Sequence, residues 1–135
     1  EKPFTSIEIG TGLCLQEGKG IAMLSFGTIG KNVTKAIHEL PGIAHYDMRF
    51  AKPLDEELLH QICNRFKTIV TIEDGVKKGG FGAAIMEFAT NHEYKNKIEI
   101  LGIEDVFTEH GTIEELQQIN GIDVASIVDT IKALQ

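Results

Sequence analysis

Five charged residues stand where strands of the predicted sheet end, and they are the first candidates for chemistry. Asp47, Arg49 and Lys52 follow one apolar run, and Glu73 and Asp74 follow another. In open α/β sheets, ligands bind at the carboxyl ends of parallel strands, so these side chains could converge on one polar edge. Charges at loop mouths are also ordinary in this architecture, where they cap helices or pair at interfaces. We favour the second interpretation and treat the five residues as candidate interface or loop-edge positions.

A glycine-rich turn, Gly79-Gly80-Phe81-Gly82, precedes a predicted helix. Backbone N–H groups at the start of a helix could hold an anion. The spacing matches neither the dinucleotide fingerprint G-x-G-x-x-G nor the phosphate loop G-x-x-x-x-G-K-[ST]. We therefore interpret these glycines as residues that let the helix begin close against the neighbouring backbone.

The five histidines predict no metal site, because none shows the H-x-x-x-H spacing or a neighbouring cysteine pair. His110 is singled out because it lies in a turn directly before Thr112-Ile113-Glu114-Glu115, which matches a helix capping box. We favour a locally hydrogen-bonded histidine there over a catalytic base. No serine stands in a G-x-S-x-G elbow, so a serine hydrolase has no support.

The elements that must position these residues follow from the hydrophobic pattern. From Gly20 onward, short apolar runs alternate with stretches of helical period, which is typical of βα units and a parallel sheet. Strands are predicted over residues 21–26, 43–48, 68–72 and about 98–102. Helices are predicted after Thr28, Asp55, the glycine-rich turn, Thr112 and Asp123.

The lead-in segment, residues 1–19, is harder to interpret. Ile7-Glu8-Ile9 alternates in polarity and is interpreted as a possible edge strand, and glycines punctuate the loop that follows. No internal domain boundary is evident in residues 1–135. The whole pattern predicts a three-layer α/β/α fold, with a mostly parallel open sheet of about five strands and helices on both faces.

Composition and charge limit the kinds of partner and the cellular location that are expected for this chain. The chain has 135 residues, with 13 Lys and Arg against 20 Asp and Glu, and a net charge of −7. Because the cations are scattered along the sequence, no basic face for nucleic acid or anionic lipid is predicted. No apolar run approaches the ~20 residues of a membrane helix, and the start lacks a hydrophobic signal segment. Cys14 and Cys63 are expected as reduced thiols, which fits a cytoplasmic protein.

Three ordered groups of residues carry a resemblance to a known family. They are Asp47-Met48-Arg49-Phe50-Ala51-Lys52-Pro53-Leu54-Asp55; Glu73-Asp74-Gly75 with Gly79-Gly80-Phe81-Gly82; and Glu109-His110-Gly111-Thr112 with Gly121-Ile122-Asp123. In this order they resemble the C-terminal domain of the 1-deoxy-D-xylulose-5-phosphate synthase family, within the transketolase superfamily. The match covers nearly the whole chain, and M-R-F-x-K-P-L-D is its most specific string.

The resemblance implies the third domain of a three-domain transferase that condenses pyruvate with glyceraldehyde 3-phosphate, releases CO2 and supplies isoprenoid and thiamine biosynthesis. It also implies a homodimer that uses thiamine diphosphate and Mg²⁺, both held by the first two domains. Catalytic, cofactor-binding and metal residues are therefore expected outside this domain. In such enzymes a G-D-G motif with a downstream Asn completes the oxygen shell of Mg²⁺. Here Glu73 replaces the first glycine, and Lys77-Lys78 stands in place of an Asn-bearing turn.

Three functions stay open on the sequence alone. We favour assembly, in which the domain packs against the N-terminal and central domains of the same enzyme and against the dimer partner, and is inactive alone. The absent initiator Met fits a piece of a longer chain. A second candidate is a regulatory module that binds a small phosphorylated ligand through Arg49, Lys52 and residues 79–82. The least favoured is an independent enzyme of flavodoxin-like shape, because no nucleophile and base pair is evident.

Overall fold

A computed structural model describes residues 6–104 and 111–135. The strands in these ranges are β1 (Leu13–Gln16), β2 (Ile21–Phe26), β3 (Ala44–Asp47), β4 (Thr68–Val76) and β5 (Lys97–Ile103). The helices are α1 (Gly30–Ile37), α2 (Glu56–Arg65), α3 (Phe81–Asn91), α4 (Ile113–Ile119) and α5 (Val124–Leu134).

The strands form one sheet in the order β1-β3-β2-β4-β5. Strands β3, β2, β4 and β5 are parallel, and β1 joins the β3 edge in the antiparallel direction. The predicted mostly parallel sheet of about five strands is confirmed. Because the chain steps from β2 to β3 and then crosses back to β4, the strand order reverses between β2 and β4.

Helices cover both faces of the sheet, as the nearly continuous apolar runs of the inner strands predict. Helices α2 and α3 bury Leu59, Ile62 and Ile85 against one face, together with Leu24 of β2. Helices α1 and α5 bury their apolar stripes against the other face, around Met23 of β2. Two hydrophobic clusters, one on each side of the sheet, therefore make a three-layer core.

The predicted edge strand over Ile7-Glu8-Ile9 is wrong. These residues lead into a turn in which Glu8 O accepts hydrogen bonds from Thr11, and Gly10 has a positive φ of 81°. The edge strand is β1 instead, in the segment interpreted as a loop. An edge strand needs a neighbouring strand to pair with, and the pairing with β3 begins only at Leu13, after this turn. Residues 7–9 therefore have no strand partner among the described residues.

The predicted helix caps are confirmed at two positions and wrong at a third. Asp55 accepts a hydrogen bond from the Leu58 N–H (3.0 Å), and Thr112 accepts one from the Glu115 N–H (3.0 Å). Thr28 caps no helix, because α1 begins at Gly30 with Ile29 as its N-cap residue. The Thr28 hydroxyl instead donates to Asp74 across the edge of the sheet.

Candidate functional site

The place where a ligand is expected in this topology is the crevice between the carboxyl ends of β2 and β4, where the strand order reverses. Thr28 follows β2, and its hydroxyl donates to Asp74 Oδ2 over 3.1 Å. This bond spans the mouth of the crevice. Gly27 lies beside it with a φ of 89°, and a Cβ there would approach Asp74 Oδ1 to 3.6 Å.

Glu73 is the one acidic side chain that is fully enclosed among the described residues, with 4% of its surface exposed. Its Oε2 accepts a hydrogen bond from the Phe81 N–H (3.0 Å), and its Oε1 accepts one from the Gly82 N–H (3.2 Å). The start of α3 therefore does hold an anion, but this anion is a carboxylate of the chain itself. The helix dipole and the two amide bonds stabilise the buried charge.

The β4–β5 ladder is irregular between Ile72 and Val76, which includes the Glu73 position. Such irregularities bend a strand and re-aim its side chains. Gly80 and Gly82 have no side chain, so the start of α3 can pack closely against β4. A Cβ on Gly80 would lie 2.4 Å from Val76 O and 2.6 Å from Glu73 Oε1, and one on Gly82 would lie 2.5 Å from Thr71 Oγ1. The glycines of this turn permit close approach, as the sequence interpretation holds.

The other loop-edge candidates share this edge of the sheet without forming one joined cluster. Asp47 ends β3, and its Oδ1 accepts a hydrogen bond from the Arg49 N–H (3.1 Å), while Arg49 itself adopts a positive φ of 59°. Lys52 is exposed in the connection to α2. Each carboxylate thus has a different local partner: Arg49 for Asp47, the start of α3 for Glu73, and Thr28 for Asp74. His110 lies outside the described residues.

Asp55 has a second contact that sequence reasoning missed. While its Oδ1 caps α2, its Oδ2 accepts a hydrogen bond from the Gly12 N–H (2.9 Å), which leads into β1. A Cβ on Gly12 would lie 2.8 Å from Leu58 Cδ2, so the lead-in packs tightly on the start of α2. Asp55, the last residue of the M-R-F-x-K-P-L-D string, therefore connects the start of α2 to the lead-in of the edge strand. Only the glycine at position 12 could have hinted at this approach.

A buried serine–histidine pair was also missed. Ser25 Oγ and His45 Nε2 are 2.7 Å apart, and the two residues are 0% and 1% exposed. Burial lowers the pKa of His45 to about 4, although the Asp47 carboxylate opposes this shift. The pair is sealed from solvent, so a substrate has no access, and we assign it a structural role. The signal that could have revealed it is Ser25, the one polar residue within the apolar run of β2, together with a histidine on the neighbouring strand β3.

Five of the 13 cations, which are scattered along the sequence, meet in the fold at the opposite, amino edge of the sheet. Lys19, Arg65, Lys67, Lys95 and Lys97 line two adjoining depressions of about 710 Å³ and 580 Å³. Sequence reasoning missed this patch because it looked for cations that are neighbours along the chain. Sheet register, rather than sequence separation, brings them together.

The Glu73-Asp74-Gly75 segment is not arranged like the Mg²⁺-binding motif of thiamine enzymes. Both Glu73 oxygens bind backbone amides, and Asp74 binds Thr28, so Glu73-Asp74-Gly75 does not present a free carboxylate pair. Within residues 6–104 and 111–135, no three His, Cys, Asp or Glu side chains are grouped to hold a metal ion. In the same ranges, every helix is too short or too polar to cross a membrane.

These features define a class of α/β/α domain in which the switch-point crevice is spanned by the chain's own side chains. The chain belongs to the family described as the transketolase C-terminal domain, which it matches over residues 10–127. It is similar to the 1-deoxy-D-xylulose-5-phosphate synthase of Phocaeicola vulgatus, with 49% identity over 93% of this chain and 21% of the relative. The synthase of Vibrio vulnificus is 39% identical, over 98% of this chain and 21% of the relative.

A similar solved structure is described as a split-gene transketolase in an inactive β4 tetramer. It has a TM-score of 0.87 and 28% identity, and the match covers 96% of this chain and 44% of that chain. This likeness confirms the predicted transketolase C-terminal fold. The curated relatives are much longer than this chain, which spans about a fifth of their length.

Proposed function

We propose that the chain is the assembly domain of a 1-deoxy-D-xylulose-5-phosphate synthase. The whole enzyme would condense pyruvate with glyceraldehyde 3-phosphate in the cytoplasm as a homodimer. Its other domains would hold thiamine diphosphate and Mg²⁺. The similarity to relatives that bear this name supports the proposal. The match to only a fifth of each relative supports the presence of further domains in the same chain.

One observation carries the assembly role: a row of exposed apolar side chains at the β1 edge. Among the described residues, Ile7, Ile9, Leu13 and Leu15 are 54%, 75%, 43% and 49% exposed. We call these four residues the β1 row. Single exposed apolar residues are normal, but a concentration of four within nine positions is typical of a surface that another part of a protein covers.

The β1 row is held in place by bonds that face inward. Asp55 fixes the residue before Leu13 through the Gly12 N–H, and Gln16 Nε2 donates to Ile43 O over 2.8 Å. Cys14 packs against the α2/α3 cluster from between the two leucines. The leucines are therefore directed outward by a rigid strand. We propose that the remaining domains of the same chain pack on this row.

The contacts at the carboxyl edge support the proposal that the isolated domain is inactive. The Phe81 and Gly82 amides that a phosphate could use already bind Glu73, which also leaves less support for a phosphorylated ligand at residues 79–82. The similar solved structure is described as an inactive β4 tetramer of a split-gene transketolase, which agrees with this proposal.

The experiment is the double substitution Leu13→Thr/Leu15→Thr in the full-length protein. Threonine preserves strand propensity and removes apolar area, so folding of β1 is retained. We expect weaker packing of the domain on the other domains, which leaves the catalytic domains out of register and lowers pyruvate turnover at least tenfold. Because the proposed dimer depends on the same register, we also expect a loss of dimer by analytical ultracentrifugation.

The matched control is Val76→Thr/Met86→Thr, which removes two apolar side chains of similar exposure, 42% and 40%, from two other elements. We expect the control to keep both the dimer and the turnover. A Leu13→Thr/Leu15→Thr enzyme with the dimer state and turnover of the unmodified protein would refute the assembly role of this row.

A further inference from the structure

The amino edge of the sheet carries three lysines at the starts of three adjacent parallel strands. The register pairs Ile21 of β2 with Thr68 of β4, and Thr68 with Lys97 of β5. Lys67 directly precedes Thr68, and Lys19 lies two residues before Ile21. The backbone connects these starts, because the Thr68 N–H donates to Gly20 O (3.2 Å) and the Lys97 N–H donates to Lys67 O (2.9 Å). The three cations are therefore placed by the sheet ladder.

Arg65 is held beside this row by three contacts. Its guanidinium lies 3.3 Å from Glu17 Oε2 and 3.4 Å from Tyr46 Oη, and 5.1 Å from the centre of the Phe66 ring. An arginine that is fixed in this way loses less conformational entropy when it binds a ligand. Among the described residues that line the two depressions, Glu17 is the one acidic side chain, and Arg65 already neutralises it.

We call the two depressions, which share Arg65, Lys67 and Thr68, the amino-edge groove. Ile21, Ile43 and Leu134 contribute apolar side chains to its larger part. Its cations are Lys19, Arg65, Lys67, Lys95 and Lys97. In a chain with a net charge of −7, this is a local excess of positive charge. Concave sites of several hundred Å³ with a few convergent charged groups are typical of small-molecule binding.

We propose that the amino-edge groove binds a small organic phosphate or diphosphate, with the phosphate among the lysines and the organic part on the apolar side chains. Adjacent strands lie about 4.8 Å apart, so the three strand starts span about 10 Å. That distance matches one phosphorylated metabolite, whereas a nucleic-acid backbone requires a longer row of cations. The proposal uses other side chains than the assembly role does, because none of the four residues of the β1 row lines the amino-edge groove.

The test uses the full-length protein and hydrogen–deuterium exchange, read peptide by peptide, so that phosphate bound to other domains does not count. Sodium pyrophosphate is the probe, compared with sodium chloride at equal ionic strength. We expect saturable protection of peptides that cover residues 17–21, 64–68 and 95–98. In Lys67→Gln/Lys97→Gln, the half-saturating concentration should rise at least about tenfold, because the loss of even one of the two charge-assisted hydrogen bonds has about that effect.

The matched control is Lys31→Gln/Lys78→Gln, which removes the same charge from two exposed lysines outside the groove. Unchanged protection in this control supports a site in the groove. An equal rise of the half-saturating concentration in both double variants would mean that the effect follows from net charge rather than from the groove, and it would overturn the proposal. Absence of protection at these peptides would also overturn the proposal. Protection by an oligonucleotide but not by pyrophosphate would overturn it too, and would indicate a nucleic-acid site instead.

Discussion

At the carboxyl edge of the sheet, Glu73 and Asp74 accept hydrogen bonds from the chain's own amides and from Thr28, whereas at the amino edge Lys19, Lys67 and Lys97 project from strand starts around a groove. Parallel α/β sheets usually bind ligands at the first of these edges. Here the carboxylates of that edge support the fold internally. Strand direction alone therefore does not locate a ligand site in this fold, because the hydrogen-bond partners of each side chain decide whether it is available to a ligand.

The same comparison separates two kinds of residue. Substitutions at the buried positions of the carboxyl edge, such as Glu73, should change the free energy of unfolding, because these groups have internal partners and no access to water. Substitutions at the amino edge should leave stability nearly unchanged and alter binding instead. Four measurements of unfolding, from the largest expected effect to the smallest, test this division.

Glu73→Ala should have the largest effect. It leaves the Phe81 and Gly82 N–H groups without their acceptor at a buried helix start, which should lower the free energy of unfolding by about 3–4 kcal/mol. Urea denaturation measures the change. Asp74→Ala is the matched control, because Asp74 is exposed, and it should cost less than about 1 kcal/mol. Equal losses in the two variants would contradict an internal role specific to Glu73.

Gly80→Ala tests the close approach that brings the start of α3 to Glu73. The added methyl group would overlap with Val76 O and Glu73 Oε1, so we expect a loss of about 2–3 kcal/mol in the free energy of unfolding. Gly75→Ala is the control, since its Cβ would meet Glu73 Oε2 at an ordinary 3.4 Å. A well-tolerated alanine at position 80 would show that the turn can relax away from the carboxylate.

His45 makes stability depend on pH. Its pKa is about 4 in the folded chain and near 6.5 when unfolded, so the unfolded state takes up the proton first as the pH falls. Stability should therefore drop between pH 7 and pH 5 by about 2 kcal/mol on this account alone. In His45→Gln, that part of the pH dependence should disappear, while His38→Gln, at an exposed site, should keep it. Parallel pH profiles for His45→Gln and the unmodified protein would show that water reaches this pair.

Lys67→Gln/Lys97→Gln should have the smallest effect on stability. Both lysines are exposed, and surface substitutions of this kind change the free energy of unfolding by less than about 0.5 kcal/mol. Urea denaturation of this variant beside Glu73→Ala compares the two edges directly. A loss of several kcal/mol at the amino edge would mean that its cations support the fold, and the division between the edges would fail.

The hydrophobic pattern alone predicts much of the fold. Residues 21–26 are apolar throughout and become β2, since a strand that is covered on both faces cannot alternate. The sequence predicts Asp55 as an N-cap, because a carboxylate directly before a helical apolar stripe can accept a hydrogen bond from a free N–H group of the first turn. Strand β1 was missed because its leucines face outward, which removes the alternation signal, and because its pairing with β3 depends on residues about 30 positions away.

The site could be predicted only in outline. The sequence places Glu73 and the glycine-rich turn near each other, but their contact depends on an irregularity in the β4–β5 ladder that no local pattern encodes. The cations of the amino-edge groove are up to 78 positions apart along the chain, from Lys19 to Lys97 (97 − 19 = 78). Their proximity follows from strand order and register, which the sequence pattern leaves open.

The central claim is that this chain supports an active centre and contains none of its own. The direct measurement is pyruvate consumption by the purified 135-residue chain with thiamine diphosphate, Mg²⁺ and glyceraldehyde 3-phosphate, beside the full-length protein at the same molar concentration. Circular dichroism verifies that the chain is folded. The account predicts turnover by the full-length protein and none by the folded chain. Pyruvate consumption by the chain alone would contradict it.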